Sequence, residues 1–286
     1  MAEGYPEVVN GGDFYGNTNP TTRLATDKIT INQNTFVASV YISAQELRYS
    51  IGDVEQLAID RLMKKAAATI DSHIINRDNT LAAIGNINSV DALPATTFVN
   101  EGGVNNHRLI GTDSLRKIAL STAGLSNNVG IATFDQLINT RSLLGDYSAD
   151  LEDMLLIFNM PTYNKYLTVQ EFKQIAVNLN YPTSTVQTGM LTPKVAGVDF
   201  VVVRDLKNTD STGNVSATPA NNTKGAFMYV MKSAIQYGFG EEPQFFMERR
   251  PKGVLISMTF DFGFAVVNKK AGQMSPSVAL GYNVTL

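Results

Sequence analysis

The order of residues along this chain predicts an α+β fold, on three observations. A period-two, β-branched stretch near the start gives way to one long stretch with the 3.6-residue period of an amphipathic helix. Capped helix signals then alternate with short apolar runs of strand type. Last comes the closing series "YVMKSAIQYGFGEEPQFFMERRPKGVLISMTFDFGFAVVN", strand-like with a helical interruption. No internal repeat or linker divides the 286 residues, so the chain makes one large domain or two intertwined ones and buries roughly three quarters of its unfolded surface.

Taken in order, residues 1–25 are rich in Gly, Asn, Thr and Pro. With few apolar anchors they cannot order themselves by burial and read as an arm. From Asp27 to Ser43 the residues Ile29, Ile31, Phe36, Ala38, Val40 and Ile42 alternate as in a strand, with "NQN" at 32–34 a bulge or a turn. The period then changes. Val54, Leu57, Ile59, Leu62, Met63, Ala66, Ile70 and Ile74 fall at spacings of three and four, opposite Glu55, Asp60, Arg61, Lys64 and Lys65. Asp53 is the expected N-cap and Gln56 the far half of a capping box. The helix, about 53–77, would be some 35 Å long, a spine.

Residues 85–113 read as loop, followed by a short helix in "SLRKIALSTAGL". A second capped helix starts at Thr133, with Gln136 in its box and Gly145 as its stop. "DMLLIFNM" is a buried strand and "PTYNKYLTVQEFKQI" a helix opened by proline. "GVDFVVVRD" is another strand. Residues 206–224 read as a long exposed hairpin tip. "AFMYVM", "PQFFMERR", "GVLISMTFDFGFAVVN" and "SVALGYNVTL" complete the strands.

Composition excludes several classes. Cysteine is absent, so there is no disulfide framework, thiolate metal site or cysteine nucleophile. Net charge is −3 with 17% charged residues, which argues against a broad phosphate-binding face. The start "MAEGYPEVVNGG" carries no signal-peptide pattern, and no apolar run is long enough to span a membrane. A soluble protein made in a cytoplasm is expected. Low charge with 44% hydrophobic residues suits a subunit covered by neighbours and suits an ordinary mildly acidic protein equally.

No chemical constellation emerges. His73 and His107 have no partner at metal-ligand spacing, and each is expected to be a surface or capping residue. There is no G-x-S-x-G elbow. "DFG" at Asp261–Gly263 lies in an alternating strand without the Gly-rich loop or catalytic loop of a kinase, and "GFGEE" lacks the third glycine of a dinucleotide fingerprint. Glu241 and Glu242 read as a solvated turn. The N-x-S/T triplets at Asn214, Asn221 and Asn283 carry no glycan implication without a secretion signal. Catalytic, cofactor-binding and metal residues are all expected to be none.

Four passages, in order, resemble the major capsid proteins of tailed bacteriophages, the Hong-Kong-97-type fold. They are "FVASVYISAQELRYSIGDVEQLAIDRLMKKAAATIDSHIINRD", "MLLIFNMPTYNKYL", "KVAGVDFVVVRD" and "GAFMYVMKSAIQYGFGEEPQFFMERRPKGVLISMTFDFGFAVVNKKA". In that family they are a loop strand running into the spine, a strand with N-x-P and a Tyr-containing helix, a "G-x-P-V-V" strand, and the closing strands. Val198-Asp199 stands where the family often has Pro.

The resemblance implies an N-terminal arm (1–25), an extended loop (26–45), a peripheral domain with the spine (46–114), an axial domain (115–224) and closing strands shared between them (225–286). It implies self-assembly into hexamers and pentamers of an icosahedral shell around double-stranded DNA, contacted non-specifically, with scaffold, portal and decoration proteins as partners. No membrane is involved, and the place is the virion capsid, assembled in the host cytoplasm. An encapsulin-type nanocompartment shell is the alternative within that fold, and an enzyme of unrelated α+β fold the alternative outside it. Some members of the family join a loop Lys to a neighbour's Asn. The extended segment here offers Lys28 alone, so a non-covalent shell is expected.

Overall fold

The computed structural model describes residues 31, 33–50, 52–80, 86–88, 112–169, 194–195, 197–216, 218–266 and 277–286. The expected arm, Lys28, His107 and the end of the "PTYNKYLTVQEFKQI" helix lie outside them.

Strand β1 (Gln33–Ser43) runs unbroken and pairs antiparallel with β8 (Gly253–Val266), which pairs antiparallel with β7 (Ile235–Arg250) in the order β1-β8-β7. Gln33 and Asn34, expected in a bulge or turn, stand in register opposite Gly263 and Phe262. Where β1 ends, Ser43 caps a short helix, α1 (Ala44–Tyr49), with a full capping box: its Oγ accepts from Glu46 N, and the Glu46 carboxylate accepts Ser43 N at 2.8 Å.

The spine, α2 (Val54–Asn76), has 23 residues. Asp53 caps it, accepting from Gln56 N at 3.0 Å. The expected box is only half made, because the Gln56 amide turns along the helix and donates to Asp60 at 3.1 Å. The buried stripe also departs from expectation. Ala58, Leu62 and Ala66 are buried, with Val54, Ile59, Ile70 and Ile74 packed beside them, while Leu57 and Met63 are about half exposed. Small Ala58 and Ala66 set the helix down closely on β1 and β8, and that turns Leu57 and Met63 outward.

The second sheet has the order β2-β9-β6-β3-β5-β4. Its strands are β2 (Ser126–Asn128), β3 (Met154–Asn159), β4 (Lys194–Val195), β5 (Val198–Val203), β6 (Lys224–Met231) and β9 (Val278–Thr285). Pairs β3–β5 and β2–β9 are parallel and the rest antiparallel. Central β6 is apolar at nearly every position because both of its faces are covered. Ala226, Met228 and Val230 join the core that continues under α2, and Phe227, Tyr229 and Met231 join a second core on the other face. Gly281 of β9 leaves room for the Phe227 ring, which a Cβ there would meet at 2.4 Å.

Three short helices flank this sheet: α3 (Leu115–Ser121), α4 (Phe134–Ser142) and α5 (Met160–Leu167). Ser114, Thr133 and Asn159 cap them. Helix α4 stops at Ser142, before the expected Gly145, and α5 stops at Leu167, where Thr168 turns its N–H back to the last carbonyls. Leu137 and Leu144 pack with Tyr163 and Tyr166 in the second core.

Two further expectations are corrected. Residues 206–224 are not an exposed hairpin tip: β5 and β6 lie on opposite sides of β3, so their connection must cross that strand's end. Leu206 and Thr209 are buried. Thr209 and Lys224 exchange backbone bonds of 2.8 and 2.9 Å, and Val215 N donates to Ile87 O at 2.8 Å. Glu241 and Glu242 do not form a turn but stand inside β7, where the register slips against β8. They are solvated, as expected.

Candidate functional site

The residues that chemistry would recruit are placed by the fold in structural roles. His73, expected at the surface, is 1% exposed. It faces inward from the last turns of α2, tilted on Phe36 of β1 at 5.6 Å between ring centroids and edge-on to Phe262 of β8 at 5.2 Å. Arg77, one turn on, donates to Nδ1 at 2.9 Å, and Thr112 Oγ1 stands 3.1 Å from Nε2. The ring is therefore held neutral. Burial, and then the positive charge of Arg77, depress its pKa to about 3. Arg77 itself is lowered to about 10 by burial, and its guanidinium lies over the Phe36 ring at 5.4 Å.

The "DFG" residues are part of the same packing. Phe262 is the ring beneath His73, and Gly263 pairs with Gln33 and Gly238 across the three-stranded sheet. Gly238 and Gly240 of "GFGEE" lie within strand β7. Asn214 bonds Thr212, Asn221 bonds Ser216, and Asn283, in the left-handed region with φ 59°, donates to Asn128 at 2.7 Å. Among the described residues no three His, Asp or Glu side chains converge as a metal site, and no helix is long and apolar enough to cross a membrane.

One polar cluster is deeply buried, and the sequence did not nominate it. Arg116 on α3 is 0% exposed. Its Nη1 donates to Asn76 Oδ1 at 2.8 Å, and its Nη2 donates to Ile87 O and Asn88 Oδ1 at 2.9 Å each. Asp78, also buried, accepts Ile87 N and Thr80 N and meets Lys117 Nζ at 3.0 Å. Burial lowers the Arg116 pKa to about 10 against the opposing pull of Asp78 and Asp210. The cluster ties the end of α2 to α3, to residues 86–88 and to the crossing connection. It has the character of a lock: both terminal nitrogens of Arg116 are given to backbone and amide oxygens, and its Nε is buried without a hydrogen-bond partner. The only sequence hint was an arginine beside the apolar positions Leu115 and Ala119.

The surfaces are more telling than the interior. On the outer face of the β1-β8-β7 sheet the rungs are Thr35–Asp261–Glu241, Val37–Thr259–Gln244, Ser39–Ser257–Phe246 and Tyr41–Leu255–Glu248. No described element covers this face. Strand β7 projects past the spine, so that even on the inner face Phe245 and Met247 stay exposed beside the buried Met258 and Ile256. Apolar surface left open in this way marks an interaction site.

No protein-family model matches the chain, and no curated protein matches it by sequence. Its fold, however, is shared with solved structures. A structure from Gordonia phage Cozz superposes with a TM-score of 0.59 at 12% identity, covering 98% of this chain and 79% of that one. The head structure of Helicobacter pylori bacteriophage KHP40 gives 0.57 at 13%, covering 98% and 83%. The capsid asymmetric unit of cyanophage Pam1 gives 0.56 at 10%, covering 97% and 82%. With the spine on a three-stranded sheet and a mixed six-stranded sheet beside it, this chain has the α+β fold of bacteriophage capsid proteins.

Proposed function

We propose that this chain is the major coat subunit of a tailed-bacteriophage head, assembling as hexamers and pentamers into an icosahedral shell around double-stranded DNA. The observation that carries the reading is the near-complete coverage of the chain by phage capsid and head structures from unrelated hosts. The open sheet face and the projecting β7 support it, because such surfaces are stabilised only when a neighbour covers them. The mildly acidic composition supports a container that does not grip its contents, since a strongly cationic lining would hold phosphates and resist their movement. In this reading the α2 sheet unit corresponds to the peripheral domain and the six-stranded sheet to the axial domain. Scaffold, portal and decoration proteins are the expected partners, and assembly takes place in the host cytoplasm.

The protein is structural, and no step of chemistry is assigned to it. Electron microscopy of the purified full-length chain tests the proposal. Closed icosahedral particles are expected, and nuclease-protected DNA is expected in particles recovered from infected cells. A chain that stays monomeric at every concentration and with every head-gene partner would overturn it. Particles filled with an enzyme instead of DNA would identify a nanocompartment shell.

A further inference from the structure

We infer that β7 pairs with β7 of a second copy of this chain, antiparallel, about a two-fold axis normal to the sheet at Phe246. The inference uses the shell reading only as the source of the second copy. Strand β7 is the last of its sheet, and no described strand lies on its second edge. A long edge strand with exposed Phe245, Phe246 and Met247 in its second half is a template for strand addition.

The pattern along the strand selects the partner. The register slip between Glu241 and Gln244 absorbs one residue, so the side chains on the outer face run Glu241, Gln244, Phe246, Glu248, Arg250. Rotation about Phe246 sets Phe246 beside its own copy, Gln244 opposite Glu248 and Glu241 opposite Arg250. On the inner face it sets Phe245 opposite Met247. Acid meets base at both ends, amide meets carboxylate next, and rings meet at the centre, so the strand is complementary to itself in this register. Without the slip Glu242 would take the place of Glu241 on this face, so an acid faces Arg250 in either register. Pro243, which has no N–H to give, sets the limit of the backbone pairing and leaves 244–248 as its paired stretch. Arg250 already gives Nε and Nη2 to Glu248, at 3.1 and 2.9 Å, and retains Nη1 for the partner's carboxylate.

The chain has no cysteine, which makes the test clean. Directly opposite Cα atoms of an antiparallel pair lie about 4.5–5.5 Å apart, within disulfide reach. Phe246→Cys, assembled and then oxidised with copper phenanthroline, is expected to run on a non-reducing gel at twice the 31.1 kDa monomer mass. Val37→Cys, more exposed than Phe246 but on β1 at the far edge of the same sheet, is expected to stay monomeric. The pair Gln244→Cys with Glu248→Cys on one chain provides a second probe if Phe246→Cys misfolds. Glu241→Arg or Arg250→Glu alone should sharply reduce the cross-link, and the two together should restore it. Particles whose Phe246→Cys and Gln244→Cys/Glu248→Cys subunits do not cross-link would overturn the pairing and leave the shell standing. A cross-linked dimer from a chain that never forms particles would retain the pairing and remove the shell.

Discussion

At the scale of single residues, two buried polar groups hold the spine in place, and each predicts a measurable behaviour. His73 is neutral in the fold with a pKa near 3, whereas in the unfolded chain it titrates near the ordinary value of about 6.5. Between those values the unfolded state binds the extra proton, so stability falls as pH drops from about 6.5 towards 3. His73→Gln cannot take up that proton, and its denaturation midpoint should vary less over this range than that of the natural chain. Equal slopes for the two would show that His73 does not contribute. Arg116→Met removes three donated bonds at once and strands Asn76, Asn88 and the Ile87 carbonyl without them. A loss of about 3 kcal/mol or more is expected, seen as a lowered melting temperature, whereas an exposed arginine would change it little. Neither role was visible beforehand. A histidine or arginine on a helix looks the same in sequence whether solvent or a second helix lies against it.

At the scale of elements, local chemistry was legible. Thr133 and Asp53 cap where side-chain oxygens and spacing say they should, because a cap involves only residues within one turn. The unbroken apolar run of β6 and the alternation of β8 were likewise readable from burial on two faces or one. The spine's direction was not. Period alone admitted Leu57 and Met63 to the stripe, and only the sheet beneath, which accepts Ala58, Leu62 and Ala66 closely, excluded them. Leu62, 4% exposed, stands at the centre of that contact. Leu62→Asp would bury a carboxylate among apolar neighbours, with an expected cost above about 4 kcal/mol. Circular dichroism and solubility measure it, and a soluble, normally melting variant would contradict the packing described. Leu57→Asp, on the exposed side, should fold.

At the scale of the whole molecule, the predictions concern assembly. Residues 1–25 carry too few apolar side chains to supply the core. A chain lacking them should melt like the full-length subunit and form shells less well, as scored by sedimentation of particles. Unchanged assembly would make the arm dispensable. Lys28 is the lone lysine of the loop segment, and we expect a shell held without covalent bonds. Boiled, denatured particles should then run at 31.1 kDa, while a ladder of multiples would make Lys28 the first residue to replace.

By itself the sequence determined the α+β class, the succession of elements and the caps at Asp53 and Thr133, all of which rest on period and spacing within a few residues. Tertiary structure decided what depends on partners far along the chain. It set the crossing of β3 by residues 206–224, which a reader of polar, glycine-punctuated sequence takes for a hairpin tip. It put His73 between Phe36 and Phe262, and Arg116 between Asn76 and Asn88. It also slipped β7 against β8 on both sides of Glu241. Burial is a property of the space between elements, and no window of sequence contains both of its sides.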